Sequence, residues 1–262
     1  MSAPTVLPRP WPKRPARLGT AVVNALVDQI VAGEFPPGTT LPIEPDLCET
    51  FGVSRTVLRE AVKSLEEKML VRVRQGHGTT VAEVDDWDLL DPHVLAATVR
   101  HDEGLTVLDE LVEVRAALES QMALRAATCA SEEQLARLAD QLATMATLVP
   151  RADEYLEADL AFHDAIMLAS QSRLGRAIVR TIHSEARSSK LYHGDPGLRH
   201  CAKAQVGHEA IYQRLLNHDA DEAALAMSEH IRSGWQLRRK TVHSERAARR
   251  KRDLNLLVKA QA

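Results

Sequence analysis

Aromatic residues are scarce: three Phe, three Trp and three Tyr make up 3% of 262 residues. Sheets draw on aromatic and β-branched side chains, so a large β-sandwich or barrel is disfavoured, and the abundant Ala and Leu point to helices. No run of about 18 apolar residues occurs, which excludes a membrane-spanning helix. Met1 to Pro15 holds proline and basic residues but no apolar core of the kind an export signal needs, so this stretch is expected to be a disordered arm and the protein cytoplasmic. Cysteine is limited to Cys48, Cys129 and Cys201, too scattered for a disulfide framework and expected as small buried hydrophobes. A strong charge of either sign is also missing. The 33 Lys and Arg against 36 Asp and Glu leave a net −3, which excludes a wholly basic coat but permits a local basic patch.

What is present is a soluble composition, 45% hydrophobic and 26% charged, with room for a small domain and a larger one. The informative stretch is Leu41 to Val81, LPIEPDLCETFGVSRTVLREAVKSLEEKMLVRVRQGHGTTV. Pro45 suits the first turn of a helix, where its missing N–H is not needed, and Glu44 to Thr50 then forms a short helix with Leu47 and Cys48 as its apolar side. Phe51-Gly52-Val53 is a tight turn, and Ser54 is an N-cap for a second helix. There Val57, Leu58, Ala61, Val62 and Leu65 recur at helical spacing and face a core, while Arg55, Thr56 and Arg59 fall off that stripe near the helix start. Val71 to Arg74 and Thr79 to Val81 read as two strands around the turn Gln75-Gly76-His77-Gly78. Helix, turn, helix and hairpin make a winged helix-turn-helix, whose second helix lies in the DNA major groove with its N-terminal residues at base edges. Ser54, Arg55, Thr56 and Arg59 are the expected groove and phosphate contacts, and Gln75, Gly76 and His77 the expected wing contact.

On these residues the stretch closely resembles the DNA-binding domain of the GntR superfamily of bacterial transcription regulators. Gly33-Glu34-Phe35-Pro36-Pro37-Gly38-Thr39, after an amphipathic helix from Leu18 to Ala32, also matches that family. One departure is visible: many members carry Glu-Arg-Glu where this chain has Glu44-Pro45-Asp46, so an arginine that can contact DNA in relatives is missing. Borrowed operator sequences are therefore no guide.

Ala82 to Val94 reads as a linker, and the boundary between the two domains is set over 84–104. Its Trp87, Leu89, Leu90 and Val94 are too apolar to leave in water and are expected to pack back on a domain. Beyond it the pattern is helical throughout, over Val107–Cys129, Glu132–Leu148, Ala152–Ser170, Leu174–Leu191, Gly197–Asn217 and Ala220–Thr241. The fold expected is mainly α: a winged domain over 16–83 and an antiparallel bundle of six to seven helices over 105–243. The basic run in 244–262 reads as a solvated or frayed tail.

In the bundle, Asp159 and His163 are four apart and share a helix face. His208 and His230 sit beside apolar stripes on two later helices. One Asp and three imidazoles converging inside a bundle would suit a divalent metal, and imidazole favours Zn, Ni, Fe or Cu while the carboxylate keeps Mn in play. The competing reading is that each histidine is a satisfied core residue. The helical half resembles the FadR-type branch of the superfamily, in the subgroup with an Asp/His/His/His metal centre. That resemblance implies Asp159, His163, His208 and His230 as ligands, with Zn the first choice. It also implies a cavity-facing arginine at Arg115, in the stretch EVRAALE, which would hold a small carboxylate bidentately. The alternative for Arg115 is a surface pair with Glu113 or Glu119. LPIEPDLCETF and WDLLDPHVL look most similar to regulators of galactonate and other sugar-acid operons.

Taken together, these readings predict a homodimeric, ligand-responsive repressor of a catabolic operon that binds operator DNA and a sugar acid or hydroxy-acid. The rival is a helical metalloenzyme acting on a small organic acid. No further carboxylate or nucleophile is spaced to serve as a general base, which weighs against it. A third reading keeps the regulator and makes the metal purely structural.

Overall fold

A computed structural model describes residues 15–74, 76–102, 104–188 and 197–260, with side chains for 18–74, 76–102, 104–184 and 197–242. The chain divides into two compact units, Met1–His101 and Asp102–Ala262.

The first unit is a winged helix-turn-helix. Helix α1 (Pro15–Val31) precedes α2 (Glu44–Phe51) and α3 (Arg55–Glu67), and strands β1 (Val71–Arg74) and β2 (Gly78–Val81) follow. The local signals explain the boundaries. Pro45 sits in the first turn of α2, and Gly52 ends that helix in the left-handed region at φ 61°. The Ser54 side chain accepts a hydrogen bond from the Val57 N–H at 3.4 Å and so caps α3. The strands pair antiparallel with Val71 opposite Val81 and Arg74 opposite Gly78. Gly78 is therefore a strand residue and the hairpin turn is one residue shorter than expected. Thr39 to Leu41 adds a short rung beside β2, because Leu41 N–H donates to Thr79 O and Val81 N–H donates to Thr39 O, both at 2.8 Å. The core joins Leu26 and Ile30 of α1 to Leu58 and Leu65 of α3 and to Leu70 and Val81.

The expected linker is part of this unit. Residues Pro92–His101 form α4, and Val94 and Ala97 belong to the same core as Leu26 and Leu58. Asp91 starts the helix: its Oδ1 accepts the His93 and Val94 N–H groups at 2.9 and 3.2 Å, and its Oδ2 accepts Lys68 Nζ at 2.5 Å. Trp87 packs inward as expected, with Nε1 donating to Ala82 O at 3.1 Å, but Leu89 and Leu90 stay exposed. They form a surface turn in which the Leu90 N–H donates to Asp88 Oδ1 at 3.0 Å.

The second unit is an all-helical bundle of α5 (Thr106–Cys129), α6 (Glu132–Leu148), α7 (Ala152–Ala169), α8 (Arg173–Ser188), α9 (Leu198–Leu216) and α10 (Ala220–Ala260). A capping box fixes the start of α6: Gln134 N–H donates to Ser131 Oγ, and Ser131 N–H donates to Gln134 Oε1. Helix α10 runs 41 residues, well past the Thr241 expected as its end. The residues beyond are mostly Ala, Arg, Lys, Leu and Glu with no proline, so nothing local stops the helix. The side chains of the basic run lie outside the described residues, as does the arm before Pro15. Cys201 is buried as expected and Cys48 partly so, but Cys129 is exposed, because it falls at the last turn of α5 where the chain leaves the bundle. Among the described residues no helix is long and apolar enough to cross a membrane.

Candidate metal centre and nucleic-acid interface

Helix α5 is the spine of the bundle site. It runs against α10, held by Asp109, which accepts Trp235 Nε1 at 2.6 Å and Arg239 Nε and Nη2 at 2.9 Å each, and by Glu113, which accepts Arg232 Nη2 at 2.7 Å. Its buried stripe contains Leu108, Val112, Ala116 and Ala123, with two charged residues among them, Arg115 and Glu119. Facing it, α7 supplies Asp159 and His163 one turn apart, α9 supplies His208 and α10 supplies His230.

These four side chains meet. One donor atom from each lies within 4.8 Å of all the others. His163 Nε2 is 3.3 Å from both His230 Nε2 and His208 Nε2, and His208 Nε2 is 3.0 Å from Asp159 Oδ1. Such spacings suit ligands that share one ion about 2.1 Å away, whose neighbouring donors sit about 3.0–3.4 Å apart. Converging imidazole lone pairs repel unless a proton or a cation stands between them, so the donor chemistry fits a divalent metal.

Around the donors lies a second layer that fixes two of the three rings. His163 Nδ1 meets Glu119 Oε2 at 2.6 Å, and Arg115 Nε donates to Glu119 Oε1 at 2.7 Å. His208 Nδ1 is 3.1 Å from the Tyr155 hydroxyl, which donates to Gln205 Oε1 at 3.4 Å. When a metal ion is held, hydrogen on Nδ1 of both rings would turn both Nε2 lone pairs to the centre, and partners of this kind also raise ligand basicity. Without an ion, Nε2 of His208 is the nitrogen that faces Asp159 Oδ1 at 3.0 Å. Burial would raise the pKa of Glu119, but Arg115 and His163 outweigh it and hold the carboxyl far below the usual range. Asp159 is likewise held ionised against burial by its hydrogen bond to His208 and by the three rings. Burial lowers His208 and His230, keeping both neutral and ready to ligate. For His163 burial also acts downward, but the Glu119 carboxylate prevails and raises it.

The donors open onto a cavity of about 100 Å³ whose wall includes Arg115, His183, His200, Trp235 and Arg238. Arg238 Nη2 lies 3.4 Å from His200 Nε2, and burial together with that cation pulls His200 down to about 4, so it is a neutral acceptor. Two guanidinium groups on a small partly apolar cavity invite an anion. Arg115 does pair with Glu119, but inside the bundle rather than on its surface, with Glu119 only 1% exposed. Glu119, Tyr155 and the wall residues His183, His200 and Arg238 are absent from the sequence-level site. For Glu119 the i,i+4 spacing to Arg115 was the available signal; for the others nothing local marks them.

Gly207 on α9 explains how His230 gets in. A Cβ at Gly207 would stand 2.3 Å from His230 Nδ1, so any side chain there must displace the ring. Gly207→Ala is expected to weaken zinc binding about 10- to 100-fold, the range for losing a residue that orients a ligand, with the helical content unchanged. Isothermal titration of zinc into both proteins checks this, and an unchanged affinity would refute it.

On the winged unit, Ser54, Arg55, Thr56 and Arg59 line the exposed N-terminal face of α3. Arg59 is 71% exposed yet oriented, because its Nε donates to Glu44 Oε2 of α2 at 3.0 Å. The contact with Glu44 engages Nε and restricts the side chain. Fifteen residues separate Glu44 from Arg59, so no local spacing marks the pair. At the hairpin tip Gly76 adopts φ 78°, and the exposed His77 closes the turn by donating its N–H to Arg74 O at 3.0 Å. Gln75 lies outside the described residues.

A winged helix-turn-helix joined to a helical bundle with a polar, metal-ready pocket defines a class, the ligand-sensing transcription regulator. Residues 18–81 match the family model for bacterial regulatory proteins of the gntR family, and residues 110–233 match the FCD domain. A transcriptional regulator of Escherichia coli, YieP, is 33% identical over 225 residues, covering 82% of this chain and 93% of that one. The galactonate operon transcriptional repressor of the same organism is 29% identical, with coverages of 79% and 91%, and its Uxu operon transcriptional regulator is 31% identical, with 80% and 82%. Among solved structures, Lar of Listeria monocytogenes shares the fold with a TM-score of 0.54 at 17% identity, covering 88% of this chain and 99% of that one. The chain belongs to the GntR family of bacterial regulatory proteins and carries an FCD domain; it is a DNA-binding transcription regulator, and its named relatives are regulators, not enzymes.

Proposed function

We propose that this protein is a homodimeric repressor of a sugar-acid or hydroxy-acid catabolic operon, acting in the cytoplasm and released from DNA when that acid binds the bundle. The observation that carries the reading is the cavity itself: an Asp/His/His/His donor set with Arg115 on the adjoining wall. Bound there, a divalent ion, zinc for preference, would supply a Lewis-acidic anchor for a carboxylate or hydroxyl oxygen. Arg115 would take the carboxylate through paired N–H donors. The galactonate, Uxu and Exu names of the relatives support a sugar acid.

On the DNA side, two copies would present their α3 helices to successive major grooves of a near-palindromic operator. Arg55 and Arg59 would read base edges, Ser54 and Thr56 would hold phosphates, and Gly76 and His77 with Gln75 would reach toward the minor groove. To act as a switch the acid must favour the released state over the bound one by about 1–3 kcal/mol.

A thermal-shift screen of sugar acids and hydroxy-acids, with and without zinc, nickel or manganese, tests the reading. The expected result is a melting increase that needs both an acid and a metal, with the same acid freeing operator DNA in a gel shift. If no acid moves the melting point under any metal condition, the sensor reading fails.

A further inference from the structure

One carboxylate touches both halves of the pocket. Glu119 is 1% exposed, and each of its oxygens has a different partner. Oε1 accepts Arg115 Nε at 2.7 Å, and Oε2 meets Nδ1 of His163 at 2.6 Å. The guanidinium of Arg115 stands on the cavity wall, and the far nitrogen of His163, Nε2, belongs to the donor set.

We infer that Glu119 is a coupling residue, passing the engagement of Arg115 to the metal through His163, so that an anion on Arg115 and an ion on the donor set strengthen each other. The inference rests on the metal-and-anion reading of the cavity given above. Its physical basis is charge sharing inside a dry network. While Arg115 is committed to Glu119, it neutralises much of that carboxylate. An anion that engages the guanidinium from the cavity side draws part of the positive charge away. More negative charge then remains on Glu119 to accept the His163 N–H. An imidazole whose N–H faces a stronger acceptor donates more strongly through its other nitrogen. Glu119 is buried, so the effect is little screened, and no side chain has to swing. By linkage the metal must favour the anion by the same factor.

A guanidinium near an ion also repels it directly, without any carboxylate, and the test separates the two routes. Zinc affinity of the full chain is measured by competition with a chelating dye in four proteins: wild type, Arg115→Gln, Glu119→Gln and the double variant. Arg115→Gln removes the counter-charge much as an anion would. It is expected to tighten zinc about tenfold when Glu119 is present and by less than about twofold when it is not, a difference within the usual range of site-to-site coupling. An equal effect of Arg115→Gln in both backgrounds overturns the inference. Glu119→Asp, too short to hold both partners, replaces the amide in the same cycle where Glu119→Gln leaves zinc too weak to measure. A second arm repeats the titrations with D-galactonate. Tightening of zinc by the acid in wild type, lost in the Glu119 variants, supports the coupling. Acid-induced tightening of the same size with and without Glu119 overturns it. A non-additive four-protein cycle with no acid effect in wild type upholds the link through Glu119 and counts instead against galactonate as an occupant of the pocket.

Discussion

Stripping metal from the wild-type protein with a chelator is expected to lower its melting temperature by roughly 8–16 °C. A ligand present at about a thousand times its dissociation constant stabilises the folded state by about 4 kcal/mol. For a unit of this size each kcal/mol moves the midpoint by roughly 2–4 °C. His208→Ala should abolish the response. His208 is fully buried, contacts Asp159 at 3.0 Å and His163 at 3.3 Å, and its other nitrogen meets Tyr155. Without the ring the donor set loses its most buried nitrogen, and the chelator should then change nothing. The stabilisation should also fade on acidification. A metal and a proton compete for the same lone pair, and His163, whose pKa is raised by Glu119, is the ring that reprotonates first as pH falls. Differential scanning fluorimetry across pH, with zinc or chelator, reads all three effects. Equal zinc responses in wild type and His208→Ala would remove His208 from the ligand set. If the acid still releases DNA from a chelated, otherwise re-stabilised protein, the metal is structural and does not hold the effector.

The second large effect concerns DNA. Arg55→Ala is expected to weaken binding to a selected operator about 5- to 150-fold at fixed salt, the span of about 1–3 kcal/mol that a good bidentate base contact supplies. Binding to random duplex should fall far less, because phosphate attraction dominates there. The operator is obtained by selection from a randomised library. A gel shift on both duplexes decides the matter, and equal operator affinities for wild type and Arg55→Ala would take base reading away from this residue.

Much of this molecule is written in short-range signals. The Ser54 cap, the left-handed Gly52, the Ser131–Gln134 capping box and the apolar stripes of α3 and α5 each involve residues within about one helical turn, where sequence spacing is already spatial spacing. The winged unit, the order of helices and the pairing of Asp159 with His163 on one face could therefore be read directly. Stops were less legible. Nothing in the sequence says that α10 should pass Thr241, and a proline at position 92 reads equally as a break or as the first residue of α4.

What the chain alone determined, then, is which residues could take part: a helix start rich in arginine, four metal-compatible donors and a cavity-compatible Arg115. Only the tertiary structure decided that His208 and His230 reach His163 from 45 and 67 residues away, that Glu119 is sealed between Arg115 and the His163 ring, and, in the winged unit, that Glu44 steadies Arg59. Those contacts depend on how helices cross and how closely they approach, as at Gly207, and crossing geometry is a property of whole faces rather than of any local run of residues.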